Sequence, residues 1–161
     1  MDYEDTEAFM ERLKRHEGTR RKGGLHVAYR CPAGALTIGW GHNLDSSPVE
    51  GLGEGSRIDD AQAEALLRRD VREAARALDA RLPWWRDLDE VRGGILLDMA
   101  FNMGVGKLVT FRRTLDAVRN GRFQEAAQAM LDSRWASQVG RRAVELAALM
   151  RTRNEECGRD A

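Results

Sequence analysis

A carboxyl, a thiol and a hydroxyl stand at Glu17, Cys31 and Thr37, within the stretch RHEGTRRKGGLHVAYRCPAGALTIGWGHN from Arg15 to Asn43. Such groups can donate a proton, accept one and orient a water molecule. Glu17 ends the amphipathic run Ala8, Phe9, Met10, Leu13, whose spacing predicts one apolar helical face. Gly18 then acts as a natural helix stop. Leu25 to Tyr29 and Ala35 to Trp40 are two short β-prone runs, joined by Cys31-Pro32-Ala33-Gly34, where Pro and Gly favour a turn. An acid at a helix end beside a hairpin can form a cleft wall, although an isolated Glu at a helix terminus is more often an exposed surface group.

The segment resembles the phage-type lysozymes, glycoside hydrolase family 24. The pattern Glu17-Gly18, then Tyr29-Arg30-Cys31, then Leu36-Thr37-Ile38-Gly39-Trp40-Gly41-His42-Asn43 is similar to that family's active-site signature. The likeness continues in Ala100-Phe101-Asn102-Met103-Gly104 and in the block from Ser133 to Ala143, so it covers nearly the whole chain, to about residue 153. The resemblance implies an α+β, mostly helical, two-lobed lysozyme-like fold. A small hairpin lobe would occupy about residues 1–58, a connecting helix 59–82 and a helical lobe 83–161, all in one catalytic domain.

Glycoside hydrolysis needs an acid that is protonated when it meets the leaving oxygen, and commonly a second group that handles water or the sugar cation. By position in the signature Glu17 is the acid. A carboxyl in a partly closed cleft has its ionised form disfavoured, which moves it toward the working pH. The second position, usually Asp in the family, is Cys31. A free thiol ionises near 8.5, so it is a poor base near neutrality unless its surroundings favour the thiolate. Thr37, six residues on, is placed to orient the attacking water. Fourteen positions separate Glu17 from Cys31, more than the family's common spacing, and the extra residues fall within Thr19 to His26, where Lys22-Gly23-Gly24 would lengthen a loop. Asp45 is a conceivable substitute carboxylate, but an Asp near a turn more often caps it.

The resemblance also implies substrate contacts at Asn43, Phe101, Thr114 and Arg142, with Arg142 reaching Glu17 across the cleft and orienting it. For His42 it implies an ion pair with Asp70 on the long helix rather than a catalytic role. Trp84 and Trp85 can stack on sugars, but aromatics beside a helix start are more often packing groups. His16, His26 and Cys31 match no common zinc pattern, so no metal and no cofactor is expected.

Composition suits one compact domain: 161 residues, 42% hydrophobic and 32% charged, with 26 basic and 26 acidic side chains. That balance provides no field to recruit nucleic acid or anionic lipid. Residues 1–106 hold 15 basic and 19 acidic groups and residues 107–161 hold 11 and 7, a swing from −4 to +4 that suits a carboxylate-bearing wall polymer or a salt-bridged surface equally. Two cysteines, Cys31 and Cys157, do not read as a disulfide framework. The charged start MDYEDTEAFMERLKRHEG is neither a secretion signal nor an anchor, and no run is long enough to span a bilayer.

Residues 44–58 read as a Gly- and Ser-rich loop, and Asp59 with Gln62 as the cap of a helix that runs to about Arg81 and stops before Pro83. VRGGILLDMAFNMG predicts a buried central helix, followed by helices at about 107–119, 122–132, 134–139 and 141–151.

The expected activity is hydrolysis of the β-1,4 bond between N-acetylmuramic acid and N-acetylglucosamine in peptidoglycan by a monomeric phage or prophage endolysin. It would accumulate in the host cytoplasm and depend on a separate holin-like protein to reach the wall. A lytic transglycosylase using the same acid, and a non-catalytic wall-binding or phage structural module, are the alternatives that Cys31 leaves open.

Overall fold

A computed structural model describes residues 2–152; Cys157 lies outside them. The chain is α+β and mostly helical, with eight α-helices and two three-stranded antiparallel sheets among the described residues. The described residues divide into two compact units, one comprising Glu4–Ala75 and the other Tyr3 with residues 76–152.

In the first unit, helix α1 (Glu7–Glu17) buries Phe9, Met10 and Leu13. Ala8, expected on the same face, is exposed. The helix stops where Gly18 takes φ 63° and ψ 178° and its N–H bonds back to the Lys14 carbonyl, a backbone state that glycine adopts without steric cost. The run from Leu25 to Tyr29 is not one strand, because it breaks at Ala28 and feeds two sheets. Strand β2 (Leu25–Val27) lies between β1 (Arg21–Lys22) and β6 (Arg57–Ile58), while β3 (Tyr29–Arg30), β4 (Leu36–Ile38) and β5 (His42–Asn43) form the second sheet in that order. The stretch expected to lengthen a loop is thus a tight hairpin, turning at Gly23 and Gly24 with φ 61° and 79° and pairing Lys22 with Leu25 and Arg21 with His26. The end of the expected loop 44–58 likewise pairs as β6. Neither outcome shows in a pattern of apolar residues, since both strands contain two residues and take their hydrogen bonds from β2.

Leu36, Ile38, Leu44, Ile58 and Ala63 form one core cluster of this unit. The capping expectation is met in both directions. Asp59 Oδ1 accepts from the Gln62 N–H at 2.8 Å, and Gln62 Oε1 accepts from the Asp59 N–H at 2.9 Å. Helix α2 (Asp60–Arg81) follows, running into the second unit, and Pro83 opens a 3-10 turn, Pro83–Asp87.

The second unit is built on helix α3 (Glu90–Met103), buried continuously from Arg92 to Ala100. Gly93 has a packing reason for standing in a helix: a β-carbon there would lie 2.1 Å from Cζ of Tyr3. Tyr3 is fully buried, donates its hydroxyl to the Leu88 carbonyl, and has its ionisation pushed up to about 12, chiefly by burial. Trp85 is also fully buried against it, ring centroids 5.0 Å apart, and its indole N–H donates to Asp79 at 2.8 Å, so Trp85 is a packing group. Trp84 is half-buried under the Arg119 guanidinium.

The helix expected over 107–119 is two, α4 (Val105–Leu108) and α5 (Arg112–Arg119), broken at Val109, Thr110 and Phe111. Thr110 donates its hydroxyl to the Lys107 carbonyl and so closes the first piece. Helices α6 (Phe123–Leu131), α7 (Arg134–Val139) and α8 (Arg141–Arg151) match the expected segments to within a residue. Arg92 holds the end of α8 by donating to the carbonyls of Met150, at 2.8 Å, and Thr152, which places a cation on the negative end of that helix dipole.

Candidate active site

Four of the residues singled out from the sequence, Glu17, Cys31, Thr37 and Asn43, belong to the first unit. Glu17 is the last residue of α1, and its carboxyl is packed on the turn between β4 and β5. A β-carbon on Gly41 would stand 2.7 Å from Glu17 Oε2 and 3.2 Å from Cδ, and Gly41 itself has φ 78°. The turn therefore needs glycine twice, once for its backbone and once for the acid above it.

Cys31 leaves β3 and starts the four-residue turn into β4, closed by the Gly34 N–H on the Cys31 carbonyl at 2.8 Å and the Cys31 N–H on the Ala35 carbonyl at 2.9 Å. The backbone N–H of Ala35 is the largest influence lowering the thiol below its ordinary ionisation range. Burial, the next-largest influence, opposes it, and the Ala33 N–H, the Thr37 hydroxyl and the Gly34 N–H each add less in the lowering direction. Backbone N–H dipoles of the turn thus favour the thiolate. Thr37 is buried and its hydroxyl is within reach of both the Ala35 carbonyl, at 3.1 Å, and Cys31.

Tyr29, paired across the sheet with Thr37, joins this group electrostatically. Burial pushes its phenol up, and the negative charges of Cys31 and Glu17 push the same way, while Arg20, 4.6 Å over its ring, opposes them. Its field of influence therefore takes in both the carboxyl and the thiol. The signal in the sequence was its place two residues before Cys31, at the end of a β-prone run.

Asn43 uses Oδ1 to accept from the backbone N–H of Asp45 and Ser46, at 2.9 and 3.0 Å, and so shapes the loop after β5. Asp45 is a cap: Oδ2 accepts from the Leu36 N–H at 2.9 Å and from Arg30 at 3.3 Å. His42 is buried between two partners, Asp70 on Nδ1 at 2.7 Å and the Ser47 carbonyl on Nε2 at 2.8 Å. A carboxylate and a carbonyl both accept, so both ring nitrogens serve best as donors, and the Asp70 hydrogen bond raises the imidazole above its ordinary range.

The other three residues belong to the second unit. Thr114 is buried and lines a groove of about 400 Å³ with Phe111, Arg112, Arg113, Asp132 and Ser133. Phe101 is half-buried near the end of α3. Arg142 is buried against Asp98, with Nε 2.9 Å and Nη2 2.8 Å from Oδ1.

The family model for phage lysozyme matches residues 14–156. The chain belongs to the phage lysozyme family. By that membership it is a glycoside hydrolase domain of the lysozyme type. It is 29% identical to a pre-baseplate central spike protein of Enterobacteria phage T4 over 91% of this chain, which spans only 28% of that longer protein. It is 25% identical to a probable T4-type lysozyme of Dictyostelium discoideum over 77% of this chain and 85% of the relative. A third relative, an endolysin of Acyrthosiphon pisum secondary endosymbiont phage 1, is 32% identical over 61% of this chain and 58% of its own length. The family match includes the last turn of α1 and the chain on to β5, the stretch in which Glu17, Cys31 and Thr37 lie.

Proposed function

We propose that this phage lysozyme domain is a muramidase that hydrolyses the β-1,4 bond between N-acetylmuramic acid and N-acetylglucosamine. Glu17 gives its proton to the leaving glycosidic oxygen. Water orients on the Thr37 hydroxyl, loses its proton to the Cys31 thiolate and adds to the anomeric carbon, with inversion. Asn43, Phe101, Thr114 and Arg142 contact the glycan. The observation that carries this reading is the Glu17 carboxyl packed on the Gly41 turn, inside the stretch that the phage lysozyme family model matches.

The biological setting is an endolysin of a phage or prophage, acting as a monomer on the host wall after a holin-like protein opens the membrane from the cytoplasmic side. The match to the central spike protein supports a second setting, in which the same chemistry serves as a wall-opening module of a phage particle.

Digesting purified peptidoglycan in ¹⁸O-labelled water tests the chemistry. Hydrolysis gives reducing muramic ends that carry the label. Unlabelled 1,6-anhydro ends would assign the domain to the lytic transglycosylases instead, and no cleavage would leave a binding module.

A further inference from the structure

We propose that Thr19, held by His26, is a positioning residue that fixes the Glu17 carboxyl; this rests on Glu17 being the acid.

The argument starts from a weak point in the chain. Glu17 is the last residue of α1, Gly18 departs with φ 63° and ψ 178°, and residues 18–20 belong to no helix or strand. Glycine at that joint adds no side-chain restraint of its own to the end of the helix. The next residue, Thr19, is tied. Its Oγ1 is 2.7 Å from Nδ1 of His26, on the β1–β2 hairpin, in the stretch where Glu17 and Cys31 stand further apart than is common.

His26 is fully buried and occupied on every side. Its Nε2 is 2.7 Å from Asp60 Oδ1, which also accepts from Arg21 Nη1 at 2.7 Å. A carboxylate only accepts, so Nε2–H donates to Asp60, and in the neutral ring Nδ1 accepts the Thr19 hydroxyl proton. The imidazole also stands edge-on against Trp40, centroids 4.7 Å apart and planes at 67°. Trp40 is further held by Lys14, 4.7 Å over its ring, which is itself bonded to Glu64.

One side chain therefore braces both segments that bound the carboxyl. Thr19 comes two residues after Glu17, and Trp40 immediately precedes Gly41, the glycine on which the carboxyl is packed. Asp60, at the start of α2, anchors the brace to the rest of the unit. Loss of the Thr19 hydroxyl releases one end of this brace and leaves the hydrophobic core untouched. A displacement of about an ångström at a reacting group is enough to slow chemistry by up to roughly a hundredfold.

The test compares Thr19→Val, which keeps shape without the hydroxyl, with Thr19→Ser, which keeps the hydroxyl. With soluble peptidoglycan fragments, Thr19→Val is expected to lower kcat about tenfold, with KM close to wild type and a melting temperature lowered by the buried Nδ1 acceptor that loses its donor. Thr19→Ser is expected to restore kcat. Wild-type kcat in Thr19→Val, or an equal loss in Thr19→Ser, would overturn the proposal. Independently of turnover, the ¹³C resonance of the Glu17 carboxyl should move in Thr19→Val and stay in place in Thr19→Ser. An unmoved resonance in Thr19→Val would also overturn it. Wild-type protein that cleaves no glycan would sink the muramidase reading alone, since the resonance still decides the positioning role.

Discussion

The Glu17 carboxyl rests on Gly41 so closely that a β-carbon at position 41 would stand 2.7 Å from Oε2. Side-chain oxygen and carbon do not approach to that distance, so any larger residue must push the acid away. Gly41→Ala is expected to lower kcat by roughly ten- to a hundredfold. The positive φ of 78° adds about 1–2 kcal/mol of destabilisation. Activity near wild type in a folded Gly41→Ala protein would separate the turn from the chemistry.

Cys31 is expected to react as an unusually acidic thiol. The amides of Ala35, Ala33 and Gly34 and the Thr37 hydroxyl favour its thiolate, so the pH midpoint of iodoacetamide alkylation should fall below that of free cysteine. Thr37→Val removes one of those donors and should move the midpoint back up. Cys31→Ala should lower activity substantially and Cys31→Asp should retain it. Alkylation at the midpoint of free cysteine would contradict that effect of the amides.

His42 and Asp70 make stability depend on pH in a definite direction. Because Asp70 raises the folded imidazole above its ordinary range, the extra stability is present below the unfolded value and lost as pH rises through the folded one. Charge-assisted bonds contribute about 1.5–3 kcal/mol. Asp70→Asn should therefore depress Tm more at pH 5.5 than at pH 9, and thermal scans at the two pH values check it. Equal depressions would show that the charge plays no part.

Gly93→Ala separates helix propensity from packing. In the interior of an ordinary helix the change would stabilise by about 1 kcal/mol. Here the added methyl would overlap the buried Tyr3 ring, 2.1 Å from Cζ. Overpacking typically costs about 1–3 kcal/mol, and each kcal/mol is worth roughly 2–4 °C in a chain of this size. A fall in Tm is expected, and a rise would mean that Tyr3 moves aside freely.

The helices were legible because their signals are local. Gly18 stops α1, Asp59 and Gln62 cap α2 on each other, and Pro83 ends it, each within a few residues of its partner. The small sheets were less so. A two-residue strand such as Arg21–Lys22 carries no periodicity, and Arg57–Ile58 is made a strand by β2, some thirty residues earlier. Among the site residues, Cys31 and Thr37 are six apart and meet across one turn, which spacing allows a reader to suspect. The amide donors to the sulfur belong to the backbone and leave no mark in residue type. His26 was invisible as a brace because its partners, Thr19, Trp40 and Asp60, come from three separate elements.

The central claim is that Glu17 donates the proton to the leaving oxygen, and Glu17→Gln tests it most directly because it keeps size and hydrogen bonding while removing that proton. The measurement is the rate at which permeabilised Gram-negative cells clear, for wild type and Glu17→Gln at equal concentrations of folded, peptidoglycan-binding protein. Losing a general acid costs on the order of a hundred- to ten-thousandfold in rate, so clearing by Glu17→Gln should fall by at least the lower figure with Tm unchanged or higher. Clearing at the wild-type rate by that variant would contradict the assignment of the whole site.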